Sequence, residues 1–169
     1  MIWLDGLDIP LFKFFRLNFA EPYAEKRYPS TLAPESALKF PWAPVEAALR
    51  GAEGSYAIHH YSTKEGKPLS STLSAQAERI SAGATSPTSQ ETISYVYHVI
   101  EGEGYSTVIA PGNGVPQKIV WNDKDTFAVP AWSQISHTVT SSHQAAFLFA
   151  INDRPMVESL GLGRDAGRL

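Results

Sequence analysis

The chain has 169 residues, a formal net charge of −3 and no cysteine. At this length one domain with a sizeable core is the default; the missing cysteines exclude disulfides, thiolate nucleophiles and zinc–sulfur sites, and the slight acidity gives no reason to expect nucleic acid as a partner. No apolar run approaches the roughly 18 residues of a membrane span, and the start "MIWLDGLDIPLFKFF" carries Asp5 and Asp8 without a basic leader, so a cytoplasmic protein is expected rather than a secreted one.

Four zones follow along the chain. Residues 1–34 hold the aromatics Trp3, Phe12, Phe14, Phe15, Phe19, Tyr23 and Tyr28 with no sustained helical or strand period. They read as an extended arm with at most a short strand, whose aromatics need a covering surface. Residues 35–54, "SALKFPWAPVEAALRGAEG", give a short helix: Pro44 suits a first helical position, the alanines favour the interior, and Gly51 and Gly54 are stop signals. Residues 55–153 turn to β. "YAIHHYST", "SAQAERISAG", "ISYVYHVIEG", "YSTVIAPG", "QKIVW", "DTFAVPA", "SHTVTS" and "AAFLFAIND" are candidate strands separated by Gly, Pro, Ser, Asn and Asp. Short strands at this spacing indicate an all-β sandwich or barrel of the jelly-roll type. "SAGATSPTSQ" reads as an ordered loop, and residues 154–169 as a tail with a short helix after Pro155.

Two stretches of the β zone resemble the paired motifs of a cupin. "SPTSQETISYVYHVIEGEG" stands in the place of the first and "DKDTFAVPAWSQISH" in the place of the second, with Pro130-Ala131-Trp132 replacing the usual Pro-x-Gly turn. With "WLDGLDIPL", "VYHVIEG", "VPAW" and "NDRPMVESLGLGR" in that order, the chain resembles the C-terminal half of gentisate 1,2-dioxygenase over nearly its whole length. The resemblance implies a single RmlC-like cupin barrel with an N-terminal arm and one or two short helices. It also implies a bicupin ancestry in which the mononuclear Fe(II) sits in the N-terminal barrel, the C-terminal one being its degenerate partner.

Against that pattern the ligand positions are changed. The upstream pair falls on Ser89 and Glu91 or on Thr88 and Gln90, Tyr95 takes the place of the ligand glutamate, and Ile135 the place of the last histidine. An apolar side chain cannot coordinate, so no metal is expected at the usual place. Alternation along a strand then turns Tyr95, Tyr97 and Val99 inward and His98 outward, and puts His137 on the face of Ile135. His98 reads as a hydrogen bond at the sheet surface or a subunit contact, and His143 as solvated. One of His59 and His60 must face inward. With His137 and Glu91 it makes a conceivable Fe(II) set of two imidazoles and a carboxylate. Glu78 and Arg79 take opposite faces, with the parity open; an inward Glu78 needs a partner or a role.

The candidate site is therefore Tyr95, Tyr97 and His137 as acid–base groups, with Gln90, Glu91, Glu78 and a mouth residue Trp132 holding a ring-shaped ligand. The expected activity is metal-free isomerisation, dehydration or cyclisation of an oxygenated aromatic, quinol or polyketide-derived ring. Its rivals are an iron-dependent ring dioxygenase with a non-standard site, and a non-catalytic or plugged barrel, or a fragment of a longer dioxygenase. The partners expected are a small-molecule substrate and a second copy of the chain, since sheet edges and arm aromatics both need cover.

Overall fold

A computed structural model describes residues 4–17, 22, 36–37, 39–112 and 114–168. The chain divides into two compact units, Met1–Lys39 and Phe40–Leu169. In the first, α1 (Ile9–Phe14) replaces the expected extended arm. Pro10 lies in its first turn, where the missing N–H has no helical acceptor to lose, and Arg16 at φ 56 lies just beyond its end. The packing expected of Trp3, Phe19, Tyr23 and Tyr28 lies outside the described residues.

The second unit begins with α2 (Trp42–Gly51), which starts before the expected Pro44 because the extended Pro41 serves as its N-cap. Nine strands follow: β1 (Tyr56–His60), β2 (Ser74–Ile80), β3 (Ser89–Gln90), β4 (Tyr95–Glu101), β5 (Gly104–Ile109), β6 (Gln117–Trp121), β7 (Thr126–Val129), β8 (Gln134–Val139) and β9 (Ala146–Asn152). A helix α3 (Arg154–Ser159) and a 3-10 turn (Ala166–Arg168) close the chain. All eight expected strands form; the added β3 is two residues long. The order is β1-β2-β9-β4-β7 in one sheet and β3-β8-β5-β6 in the other, with every pairing antiparallel. This is a jelly-roll arrangement. Among the described residues no helix is long and apolar enough to cross a membrane.

The core has two layers. Between the sheets lie Val99, Val108, Trp121, Val129, Val139 and Leu148. On the outer face of the five-stranded sheet, α2 places Val45 and Leu49 on Ala57, Ala77 and Phe147. Strand β9 is thus apolar on both faces, which is why "AAFLFAIN" lacks alternation. Two glycines of "EGEG" make close approaches that a side chain would block. A Cβ at Gly102 would stand 2.7 Å from the Ala146 backbone, and one at Gly104 2.2 Å from the Thr138 carbonyl.

Candidate active site

Register sets the inner wall. On β1, Tyr56, Ile58 and His60 pair with Ile80, Glu78 and Gln76 of β2. On the other side of β9, Ala150 lies opposite both Gln76 and Tyr97. Its small side chain leaves room for those two larger neighbours. From the facing sheet β8 contributes Ile135 and His137. Together these side chains line an open cavity of about 510 Å³. That volume lies within the range of small-molecule sites, so the plugged-barrel reading does not hold.

Glu78 faces this cavity, and Arg79 the opposite side. The Glu78 side chain is 2 % exposed. Among the described residues it has no Lys or Arg beside it; Gln76 Nε2 donates to its Oε1 at 2.7 Å and the Tyr56 hydroxyl to its Oε2 at 3.0 Å. Burial of a carboxylate costs several kcal/mol, of which two neutral hydrogen bonds offset only part. His137 Nε2 stands 4.0 Å from Glu78 Oε2. That gap is too long for a direct hydrogen bond and wide enough for a ligand atom bridging both.

The surroundings of His137 assign its tautomer. Trp121 Nε1 donates to Ser106 Oγ at 2.9 Å, and Ser106 Oγ lies 2.7 Å from His137 Nδ1. Ser106 is fully buried. Its proton has no other acceptor among the described residues, so it is donated to Nδ1, and the ring proton sits on Nε2, toward Glu78. The backbone is held as well: the His137 N–H donates to Ser86 Oγ at 2.9 Å, and the Ser86 N–H to the His137 carbonyl at 2.8 Å. Burial holds His137 below the ordinary imidazole range, opposed by the charge of Glu78. It is a neutral N–H donor at neutral pH.

Three aromatic rings back the site. Tyr97 stacks on Tyr95 at 5.5 Å and on Phe127 at 5.3 Å, and meets His137 edge-on at 4.7 Å. Tyr97 is 3 % exposed, and its hydroxyl has no hydrogen-bond partner among the described residues. Burial, reinforced by Glu78, raises its pKa well above the ordinary tyrosine value, so it is a proton donor and not a phenolate. Burial and Glu78 raise Tyr56 in the same way.

A second cluster forms another part of the wall. Arg154, the first residue of α3, donates to Glu91 Oε2 at 2.5 Å and to the Tyr95 hydroxyl at 2.8 Å, while Tyr95 donates to Glu91 Oε2 at 2.7 Å. Glu158 Oε1 lies 3.4 Å from Arg154 Nη1. The Tyr95 proton is held by burial, opposed by Arg154 and supported by Glu91. His60 lines the cavity, its pKa lowered by burial and then by Arg154. His59 takes the other face, edge-on to Tyr61 at 5.2 Å.

Of the residues singled out in the sequence, Tyr95, Tyr97, His137, Glu78 and Glu91 meet at this cavity. Gln90 and Trp132 do not line it. Gln90 Nε2 donates to the Trp132 carbonyl at 3.1 Å, and the Trp132 N–H donates to the Glu91 carbonyl. Trp132 is a turn residue at φ 62, the left-handed conformation that the family's glycine would adopt freely. His98 makes the expected surface contact, its Nδ1 3.0 Å from Thr126 Oγ1. Sequence reasoning missed Tyr56, Gln76, Ser106, Trp121 and Arg154. Tyr56 shares strand parity with His60; for Arg154 the only signal was the unmatched charge of Glu91.

An Fe(II) centre does not fit these residues. Ile135 offers no donor, and Glu91 is turned onto Arg154 and Tyr95. Among the described residues, no three His, Asp or Glu side chains converge on a point where they could hold an ion. His137 and Glu78 form a pair, one donor short of the usual set.

No protein-family model matches the chain. Over 98 % of its length it is 27 % identical to a 5-aminosalicylate 1,2-dioxygenase of a Comamonas species, spanning 50 % of that protein. It is 26 % identical, again over 98 %, to gentisate 1,2 dioxygenase 1 of Aquipseudomonas alcaligenes, spanning 54 %. A salicylate 1,2-dioxygenase of Pseudaminobacter salicylatoxidans superposes with a TM-score of 0.72 at 24 % identity, over 94 % of this chain and 53 % of its own. The chain spans about half the length of the relatives it matches. The jelly roll is of the cupin type, and the chain is a homologue of the gentisate-type ring 1,2-dioxygenases, at about half their length.

Proposed function

We propose that this chain is a cupin enzyme that moves protons on a small oxygenated ring without a metal, with Glu78 as the base and His137 and Tyr97 as hydrogen-bond donors. The observation that carries the reading is a buried carboxylate and a neutral imidazole N–H, 4.0 Å apart, facing one open cavity. Buried charge without a countercharge destabilises a fold, and such groups concentrate at working sites.

Glu78 removes a proton from a ring carbon next to a carbonyl. The electron pair of the broken C–H bond forms a C=C bond, and the carbonyl π pair moves onto oxygen. His137 Nε2–H and the Tyr97 O–H donate hydrogen bonds to the growing oxyanion and keep their protons. The proton on Glu78 then returns to a different carbon, the C=O bond re-forms, and the ring is isomerised with no atom gained or lost. Dehydration and cyclisation begin with the same proton removal. The ring packs against Tyr95 and Tyr97.

The test is the conversion of β,γ-cyclohexenone to its conjugated isomer, followed by ultraviolet absorbance. Glu78→Gln should lower the rate by about a hundredfold or more, the usual contribution of a positioned base. A variant that keeps its fold by circular dichroism and its full rate would overturn the assignment. Sequence similarity over nearly the whole chain favours a second reading, iron-dependent ring cleavage like that named for the relatives. Near one iron per chain after anaerobic loading, with cleavage of salicylate that a chelator abolishes, would replace the proton-transfer reading.

A further inference from the structure

Three carboxylates line the cavity, Glu78, Glu91 and Glu158, against one guanidinium, Arg154. That guanidinium is already engaged by Glu91 at 2.5 Å and faces Glu158 at 3.4 Å. Glu78, the most deeply buried of the acids, has only neutral donors. Among the remaining polar groups, the Tyr97 hydroxyl and His137 Nε2–H are neutral donors too, and His60, its pKa lowered by burial and by Arg154, is a neutral imidazole at neutral pH. An anion entering this space meets a net negative wall at low dielectric with no uncompensated cation among the described residues to receive it. A ring carrying hydroxyl, carbonyl or carboxamide groups meets donors for its oxygens and the Glu78 carboxylate for its O–H or N–H.

We infer that the site takes neutral oxygenated rings and rejects aromatic carboxylates, the class to which the compounds in its relatives' names belong. Two features set the selection: Glu78, which repels a carboxylate from the cavity floor, and Glu91, which occupies the Arg154 guanidinium that a substrate carboxylate would seek. The inference rests on the proton-transfer reading for the location of the site, but binding alone tests it.

The probes are salicylate and salicylamide, which differ in a carboxylate against a neutral carboxamide. Each is titrated calorimetrically into the full chain at low ionic strength and neutral pH. Salicylamide should bind at least about tenfold more tightly, given charge repulsion in a partly desolvated site. Glu91→Gln should shrink the ratio by freeing Arg154, chiefly through tighter binding of salicylate. Salicylate binding as tightly as salicylamide, or more tightly, overturns the inference. So does binding of neither compound up to its solubility, because a neutral ring of this size is claimed to fit. The two readings fail separately. A preference for salicylamide in a protein whose enone isomerisation is indifferent to Glu78→Gln sinks only the catalytic role. A preference for salicylate with isomerisation that depends on Glu78 sinks only the selection of neutral rings.

Discussion

Strand β2 buries two opposite charges at adjacent positions and treats them differently. Arg79 points away from the lumen, where it donates to Ser81 Oγ at 2.7 Å and to the carbonyls of Gly54 at 2.9 Å and Ala52 at 3.2 Å. These tie the strand to the segment that follows α2. Glu78 points into the lumen, holds two neutral donors and faces empty volume and a histidine. Burial alone does not separate them, since both residues are under a tenth exposed. What separates them is what the charge meets: two backbone carbonyls and a serine hydroxyl that accept from the Arg79 terminal nitrogens on one side, an open cavity with an imidazole N–H and a tyrosine hydroxyl without a partner among the described residues on the other. The first is a structural charge and the second a reactive one.

Substitutions can break that contrast. The largest effect expected is the loss of about a hundredfold or more in isomerisation rate for Glu78→Gln, with Arg79→Met leaving the rate per folded molecule unchanged. Next, Arg79→Met should lower unfolding free energy by about 2 kcal/mol in urea titrations, because two carbonyls lose their charged donor. Glu78→Gln should do the reverse and raise stability by about 1 kcal/mol. The new amide removes the buried charge, and the Gln76 side chain, whose Oε1 has no partner among the described residues, can turn to accept from it. A loss of stability there would make Glu78 a structural charge like Arg79.

Smaller effects sharpen the picture. Because His137 titrates below its ordinary 6.5 in the folded protein, acidification below that value protonates the unfolded chain first. Stability therefore falls as pH drops through that window, and is constant above it as far as this residue is concerned. His60 and His98 are shifted in the same direction. The thermal midpoint should decline from pH 7 toward pH 5.5, less steeply in His137→Gln. The smallest effect on stability is Tyr97→Phe, within about 0.5 kcal/mol of the parent, since no partner among the described residues loses a hydrogen bond. The same change should weaken salicylamide binding several-fold. A large stability loss would reveal a structural bond for that hydroxyl.

Much of this architecture was legible from alternation. Tyr95, Tyr97 and Val99 are buried on one face of β4, with His98 on the other, as a strand period of two dictates. The same parity linked Ile135 to His137 on β8. It failed at "SAQAERI" because the strand is covered on both faces, by the lumen and by α2, so the sequence carries no polar-out signal to fix the register of Glu78 against Arg79. The two-residue β3 is too short to show any period. In the arm, α1 is a six-residue turn closed by its own backbone, below the length at which an apolar stripe can be read. Arg154 was out of reach for another reason. It lies 59 residues from Tyr95, and long-range charge pairing leaves no local pattern. Trp132 misled by its aromatic character, whereas its place is set by a turn that needs a left-handed residue.

The central claim is that Glu78 carries proton transfer in this lumen without a metal. The most direct measurement is solvent deuterium incorporation into cyclohexenone, followed by proton magnetic resonance in the chelator-treated protein, the iron-loaded protein and Glu78→Gln. The account predicts the same incorporation rate with and without iron, and its loss in Glu78→Gln. Incorporation that follows iron content and survives Glu78→Gln would contradict it.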